Sequence, residues 1–364
     1  MELTAAPALL KVTIDGIETH VAPGTTILQA ARQIGGDIVP PAMCYYKPLK
    51  ASGGKCRACL VRVAAGSEKD PRPMPKLVAS CITGVQDGMV VENTSNPEVL
   101  ATRKSIVEFL LINHPLDCPI CDQAGECDLQ DFTFEHGLST TRYQEERRTF
   151  DKIDIGPYVK LHMTRCILCY RCVYTADQIT DKRVHGVLNR GDASEIGTYI
   201  ANAIDNDFSG NVIDVCPVGA LTDKTWRFKQ RVWFTKPVLA HRNCETEKCG
   251  GKVLLWYRGG EVLRVTARKN DWNEVEDWIC NTCRFEKKET LDWEIEGPAI
   301  VSDKSVISSN HYTASLVKPS WPVEYDTKFQ KKIDDLPRQI STKELSLTMV
   351  PDKATNLLKA KSDS

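Results

Sequence analysis

The sequence lacks any apolar run near the roughly 18 residues that a membrane-spanning helix requires. It also begins without the basic head and long apolar stretch of a secretory signal, so it predicts a soluble cytoplasmic protein without a membrane span. Neither sign of charge is in excess, because the chain has 47 Lys and Arg residues and 48 Asp and Glu residues. This balance gives no reason to expect nucleic acid or an anionic membrane surface as a partner.

Several sequence patterns of enzymes are missing as well. No predicted strand is followed by the G-x-G-x-x-G turn of a dinucleotide-binding fold, so we expect no Rossmann-type NAD site. No set of residues indicates acyl or phosphoryl transfer, and we assign no catalytic side chain. The 364 residues are long for a single domain and suggest two to four compact units.

Cysteine, in contrast, is abundant. The 15 cysteines fall in tight groups in a chain without a secretory signal, and their number is odd. These features favour metal binding over a disulfide framework. Together with one histidine, the cysteines suffice for four sites of four ligands each.

The first group comprises Cys44, Cys56, Cys59 and Cys81. A close pair in GGKCRAC with a distant cysteine is typical of a plant-type [2Fe–2S] site, in which two thiolates bind each iron. Gly53 and Gly54 should let backbone N–H groups approach the sulfur atoms. A zinc site is the alternative.

The second group lies in NHPLDCPICDQAGECDLQD, where Cys118, Cys121 and Cys127 are close enough to share one metal centre. The fourth ligand must come from elsewhere. His114 is a candidate, because Pro115 ends the preceding helix and turns the chain toward Cys118. The spacing leaves open whether His114 binds the metal or only terminates the helix.

The third group begins with Cys166, Cys169 and Cys172, whose C-x2-C-x2-C spacing is the core of the bacterial-type [4Fe–4S] pattern. Ala176 stands where a two-cluster ferredoxin has its next cysteine, so the pattern supports a single cluster. Cys216, in NVIDVCPVGALTDK, is the natural fourth ligand.

The fourth group comprises Cys244, Cys249, Cys280 and Cys283. These two pairs flank two predicted strands, KVLLWYRG and EVLRVTAR, which meet at Gly259 and Gly260. A zinc ribbon has the same arrangement, so the spacing does not decide between zinc and an iron–sulfur cluster.

Four stretches between residues 10 and 232 resemble one family. They are SCITGVQDGMVVENTS, EFLLINHPLDCPICDQAGECDLQDF, RCILCYRCV and GNVIDVCPVGALT. They are similar to the 75 kDa, G-type iron–sulfur subunit of NADH:quinone oxidoreductase, respiratory complex I. The resemblance implies a [2Fe–2S] cluster on the first group, a [4Fe–4S] cluster on the second with His114 as ligand, and a [4Fe–4S] cluster on the third.

The resemblance and the patterning together predict an α+β protein of five segments. These are a [2Fe–2S] ferredoxin-like β-grasp domain (10–95), a helical [4Fe–4S] segment with one histidine and three cysteine ligands (96–138), a [4Fe–4S] ferredoxin-like domain (139–235), a small β-rich domain with a four-cysteine metal site (236–296) and an extended or disordered tail (297–364).

Three departures from the family are visible. The insert SEKDPRPMPK lengthens the gap between Cys59 and Cys81, and we expect a surface loop there. Full-length members continue into a large molybdopterin-oxidoreductase-like domain, so we expect this chain to be a short form. In the fourth group Cys244 is displaced and Cys283 is additional. The partial likeness still favours [4Fe–4S] over zinc at that site.

The implied function is an electron relay from a flavin- and NADH-binding subunit toward quinone, together with the other subunits of the hydrophilic arm of complex I. The chain would then lie peripherally on the cytoplasmic side of the inner membrane. The alternative is the diaphorase-type subunit of an NAD-linked hydrogenase. A catalytic hydrogenase or formate dehydrogenase would need a further cysteine-rich domain, and no cysteine follows Cys283.

Overall fold

The structure is a computed structural model, which describes residues 8–138, 140–151, 153–180, 185–198, 204 and 206–298. All of them belong to one compact unit, Met1–Tyr312. The predicted tail, apart from residues 297 and 298, lies outside the described residues. Within the described part of the chain, no helix is long and apolar enough to cross a membrane.

The N-terminal segment folds around a five-stranded sheet and one helix. Its elements are β1 (Leu10–Ile14), β2 (Ile17–Val21), α1 (Ile27–Ile34), β3 (Leu60–Ala65), β4 (Val78–Ala79) and β5 (Met89–Glu92). The strand order is β2-β1-β5-β3-β4, with β1 parallel to β5 and the other pairs antiparallel. Thr26 caps α1 through a capping box with Gln29. This mixed sheet packed on one helix agrees with the β-grasp domain that the sequence predicts.

Four further helices follow and carry or border the next two cysteine groups. They are α2 (Pro97–Leu111), α3 (Asp128–His136), α4 (Arg171–Gln178) and α5 (Asn211–Val215). Asn96 caps α2 by accepting hydrogen bonds from the N–H groups of Glu98 and Val99. Two short antiparallel ladders complete this region: β6 (Val159–Leu161) with β9 (Leu221–Asp223), and β7 (His185–Leu188) with β8 (Glu195–Thr198).

The C-terminal described segment is a four-stranded antiparallel sheet of order β12-β11-β10-β13. Its strands are β10 (Lys236–His241), β11 (Lys252–Arg258), β12 (Glu261–Ala267) and β13 (Glu294–Pro298). The predicted hairpin is β11–β12, and Gly259 and Gly260 at its turn both have positive φ, as such a turn requires. The sequence did not indicate β10 or β13, which widen this hairpin into a sheet.

The largest hydrophobic core runs through the metal-binding candidates. One continuous cluster of buried side chains contains cysteines of the first three groups: Cys44, Cys56, Cys127, Cys169, Cys172 and Cys216. A separate cluster, formed with Leu255 and Ile279, contains Cys280 and Cys283 of the fourth group. The fold therefore gathers cysteines of the first three groups around one shared core.

Candidate metal centres

The first group lies in the loop between α1 and β3 and just after β4. All four cysteines are buried, and the Sγ atoms of Cys59 and Cys81 are 3.3 Å apart. The N–H groups of Lys55 and Cys56 each donate to Cys44 Sγ at 3.3 Å. The Cys56 side chain and then the Cys81 side chain lower the pKa of Cys44, so the Cys44 thiol lies near both of them. Four neighbouring thiols fit a two-iron centre with two thiolates on each iron.

Gly53 and Gly54 shape the loop beside this group, as the sequence predicts. Both have positive φ, +112° and +69°, a conformation that glycine adopts without strain. The Gly54 N–H donates to Cys81 Sγ at 3.2 Å, and a β-carbon on Gly53 would lie only 3.2 Å from that sulfur. The backbone therefore approaches the thiolates closely enough to stabilise their negative charge.

The second group follows the end of α2. Cys118 is exposed, whereas Cys121 and Cys127 are buried, and Cys127 directly precedes α3. A charge on Cys118 affects the pKa of Cys121, and a charge on Cys121 affects the pKa of Cys127, so the neighbouring thiols are close to one another. Burial raises the pKa of both Cys121 and Cys127, so their thiolates need a nearby cation.

His114 faces the same surroundings as these thiols. Burial, and then the Arg165 guanidinium, lower the pKa of His114 to about 4, so its imidazole is neutral. The Arg165 guanidinium also acts to lower the pKa of Cys121, although burial has the larger, opposite effect. His114 and Cys121 therefore both lie near Arg165. The Arg147 guanidinium donates to the His114 carbonyl, so the charged segment after α3 packs against the end of α2. A neutral imidazole is the form that binds a metal.

The third group surrounds a cavity. Its lining consists of the four cysteines and apolar or aromatic side chains: Leu161, Cys166, Ile167, Cys169, Tyr170, Cys172, Ile196, Cys216, Val218, Ala220 and Leu221. Burial raises the pKa of Cys169 to about 12 and also raises the pKa of Cys216, because a thiolate there has no water around it. Four thiols around an apolar cavity fit a cluster whose iron ions offset the thiolate charge.

The loop between Cys166 and Cys172 winds tightly around one side of this cavity. Leu168 and Tyr170 adopt left-handed conformations with φ of +53° and +64°, which are uncommon for residues with a side chain. The Leu168 N–H donates to Cys166 Sγ at 3.3 Å. This costly backbone persists only where the surrounding structure fixes it, as it does at binding sites.

Arg171 joins the three groups, a role that the sequence reasoning missed. Its guanidinium is buried and donates to the carbonyls of Ala42 at 3.1 Å and Tyr45 at 2.9 Å, on either side of Cys44. It also donates to the Val215 carbonyl at 3.4 Å and lies 3.6 Å from the Asp128 carboxylate. The one signal in the sequence is a charge inside the motif RCILCYRCV.

Gly219 brings the second and third groups into contact, which the sequence also did not indicate. A β-carbon at this position would lie 2.1 Å from Cys121 Sγ, so the backbone after Cys216 lies directly against the second group. Nearby, the Asp128 N–H donates to the Pro217 carbonyl at 3.0 Å. The second and third groups are therefore tethered on both sides of Cys127.

The fourth group is the most compact of the four. Cys244 and Cys249 are half-buried in the β10–β11 loop, and Cys280 and Cys283 are buried between β12 and β13. All four Sγ atoms lie within 4.8 Å of one another. The structure thus brings together the two pairs that the sequence predicts to share a metal.

Comparisons with protein families match the first three groups segment by segment. Residues 8–96 match a 2Fe-2S iron-sulfur cluster binding domain, and residues 103–142 match the NADH-ubiquinone oxidoreductase-G iron-sulfur binding region. Residues 156–222 match the ferredoxin-like domain of NADH-quinone oxidoreductase subunit 3. The chain therefore contains a [2Fe–2S]-binding domain and regions of the [4Fe–4S]-binding type.

Individual relatives agree with these families. The chain is 40% identical over 303 residues to the G-type subunit of NADH-quinone oxidoreductase from Rickettsia bellii, covering 83% of this chain and 42% of that protein. It is 43% identical over 277 residues to the NADH-ubiquinone oxidoreductase 75 kDa subunit of Reclinomonas americana, covering 76% and 38%. The chain thus spans about two fifths of the length of these relatives.

A solved structure is also similar. It is a chain in the crystal structure of an NAD+-reducing [NiFe]-hydrogenase in the H2-reduced state, with 25% identity and a TM-score of 0.53. The match covers 61% of this chain and 91% of the hydrogenase chain. Because the relatives with 40% identity or more match most of the present chain, the chain belongs to the family of the 75 kDa, G-type iron–sulfur subunit of NADH-quinone oxidoreductase.

Proposed function

We propose that this chain relays electrons through three iron–sulfur clusters within a complex that oxidises NADH and reduces quinone. The first group would hold a [2Fe–2S] cluster. The second group, with His114, and the third group would each hold a [4Fe–4S] cluster. The five segments that the sequence predicts, with boundaries at 95, 138, 235 and 296, are part of this proposal.

The observation that carries the proposal is the shared core of the first three groups. Cysteines of all three belong to one hydrophobic cluster, and Arg171 contacts residues beside ligands of all three. Electron transfer between cofactors weakens steeply with distance, so a relay needs its cofactors held close together. A rigid apolar core also keeps water from the clusters and fixes their surroundings.

The residues around each cluster would tune its reduction potential. Backbone N–H groups at Gly54, Lys55 and Cys56 donate to thiolate sulfur in the first group and would favour the reduced state there. In the second group, the neutral His114 makes the cluster one negative charge less anionic than four thiolates would, which raises its potential. The chain itself supplies ligands, hydrogen bonds and burial, while the clusters supply the electron chemistry.

The partners follow from the names of the relatives, which are subunits of NADH-quinone and NADH-ubiquinone oxidoreductases. We propose that a separate flavin-containing subunit oxidises NADH and delivers electrons to this chain. Other subunits of the hydrophilic arm would receive the electrons and pass them to quinone. The complex would place the chain on the cytoplasmic side of the inner membrane.

The test is anaerobic purification of the chain with its natural partner subunits. We expect about ten irons per chain from the three clusters, and EPR signals that appear when NADH is added. Cys172→Ser should remove about four irons and stop quinone reduction, while NADH oxidation by an artificial acceptor at the flavin-containing subunit continues. A count near six irons or fewer in the intact complex, or clusters that NADH does not reduce, would contradict the proposal.

A second candidate is the electron-transfer subunit of an NAD-linked hydrogenase. The likeness to a chain of the NAD+-reducing [NiFe]-hydrogenase structure, of which 91% is covered, favours it. The identity of 25% to that chain is well below the 40% to the Rickettsia bellii relative, so the complex I assignment is the stronger. Mass spectrometry of the co-purified subunits decides, because a nickel-binding subunit would support the hydrogenase.

A further inference from the structure

In the fourth cysteine group, all four sulfur atoms lie close to one another. The Sγ atoms of Cys244 and Cys280 are 3.7 Å apart, those of Cys249 and Cys283 are 3.8 Å apart, and those of Cys244 and Cys283 are 3.6 Å apart. Elsewhere among the described residues, no other set of three or more potential ligands is so closely grouped. These distances carry information about the number of metal ions.

Four thiolates around a single ion form a tetrahedron of fixed size. With a zinc–sulfur bond of about 2.3 Å, its edges are about 3.8 Å long. These three separations lie within about 0.2 Å of that edge, and the remaining pairs of sulfurs in the group are at most 4.8 Å apart. In a [4Fe–4S] cluster each cysteine binds a different iron of the cube, so the four sulfurs stand much further apart.

The third group provides a comparison within the same chain. Its four cysteines line an apolar cavity, as a cubane cluster requires. Unlike the sulfurs of the fourth group, its four sulfurs do not all lie within 4.8 Å of one another. We propose that Cys244, Cys249, Cys280 and Cys283 hold one tetrahedral zinc ion instead of an iron–sulfur cluster. This revises the sequence-based preference for [4Fe–4S] at this site.

The chemistry of the donor set fits zinc. Four thiolates leave no open coordination position, which is the pattern of structural zinc sites and not of catalytic ones. The Cys280 N–H donates to Cys249 Sγ at 3.3 Å, and the Cys283 N–H donates to Cys280 Sγ at 3.5 Å. Such donors offset part of the negative charge that four thiolates place around a divalent ion.

The contacts around the site indicate what the ion stabilises. Asn281, between the two buried cysteines, donates to the Asn206 carbonyl at 2.8 Å and to Ser209 Oγ at 2.9 Å. It also accepts a hydrogen bond of 2.9 Å from the Gly210 N–H, just before α5. The ion would therefore fix the β10–β11 loop to a segment that packs against α5, the helix that leads to Cys216.

This site goes beyond the relay proposed above, because zinc has no accessible second oxidation state and carries no electrons. The two proposals therefore fail separately: iron content tests the relay, and zinc content tests the fourth site. The experiment is metal analysis and zinc X-ray absorption on the complex purified anaerobically from its natural host, with EPR confirming that the clusters are intact.

We expect about one zinc per chain, with an absorption spectrum showing four sulfur neighbours at about 2.3 Å. Cys244→Ser should lower the zinc content and leave the iron content unchanged. The matched control Cys172→Ser should lower the iron content by about four and leave the zinc content unchanged. Cys244 is half-buried in a loop, so its substitution disturbs the core less than substitution of the buried Cys280 or Cys283 would.

Three results would overturn the proposal. They are absence of zinc in protein with intact clusters, zinc without four sulfur neighbours, or loss of one or four irons in Cys244→Ser. If Cys244→Ser does not fold, the zinc content and absorption spectrum of the unchanged protein still decide between the two metals.

Discussion

Gly219 is the position at which a single methyl group should remove one cluster and spare the others. A β-carbon there would lie 2.1 Å from Cys121 Sγ and 3.2 Å from the Gln123 β-carbon. Ordinary van der Waals contact begins at 3.4 Å, so the sulfur would have to retreat by about 1.3 Å. We predict that Gly219→Ala loses the cluster proposed for the second group.

The displacement of the Cys121 sulfur is small for the fold but large for a metal site. Adding a methyl group to a packed core costs about 1–3 kcal/mol, which most folded proteins survive. A metal–ligand distance, however, tolerates only about 0.2 Å. The backbone has little freedom to move instead, because the Pro217 carbonyl accepts a 3.0 Å hydrogen bond from the Asp128 N–H. The metal site should therefore fail before the fold does.

The assay compares iron content and EPR spectra of the Gly219→Ala protein with those of Gly84→Ala. A β-carbon on Gly84 meets nothing within 4 Å, and its φ lies outside the left-handed region, so this control should keep every cluster. Gly219→Ala should lose about four of about ten irons and one EPR signal. A Gly219→Ala protein with full iron and an unchanged spectrum would refute the steric argument.

Three further predictions concern His114, Arg171 and Asp214. His114→Ala should lose the same cluster, whereas His114→Cys should keep it at a lower reduction potential, because a thiolate adds negative charge. An unchanged redox titration for His114→Ala would mean that another residue is the ligand. Arg171→Gln should lower the reduction potentials of the neighbouring clusters by removing a buried positive charge, while Arg171→Lys should keep them; equal potentials in both would contradict this role for the charge. Asp214→Ala should destabilise the fold by about 3–5 kcal/mol, because it leaves Arg284 buried without its partner. The exposed Arg72→Ala should leave the thermal midpoint unchanged, and similar midpoints for the two proteins would argue against the buried pair.

Local patterning predicts a large part of the fold. Alternation in KVTIDG and ETHVAPG predicts two strands, and Thr25 and Thr26 predict the start of a helix over ILQAARQIG. The structure confirms all three as β1, β2 and α1, with Thr26 as the cap. Apolar side chains at helical spacing in residues 97–113 also predict a helix, and the structure has it as Pro97–Leu111. The ladders β6–β9 and β7–β8 have only three or four residues per strand, too few to show alternation. Their pairing depends on contacts between distant segments, which no local pattern reveals.

Cysteine spacing predicts the four groups but not the distances within them. For the fourth group, the sequence shows two pairs on either side of a hairpin, which suits a cubane and a single ion equally well. The structure adds β10 and β13, which pair with each other, and the segments between strands that carry the four thiols bring them within 4.8 Å. The distances that favour the proposed single ion over a cubane thus depend on long-range packing, which the spacing of the cysteines does not show.

Arg171 shows how the order of the chain becomes an arrangement of cofactor sites. A buried guanidinium is stable only when carbonyls or carboxylates satisfy it, and each charged hydrogen bond contributes about 1.5–3 kcal/mol. Its partners Ala42 and Tyr45 lie on either side of Cys44 in the first group, Asp128 follows Cys127 of the second, and Val215 precedes Cys216 of the third. The same contacts that offset the burial of this charge therefore fix the three groups relative to one another.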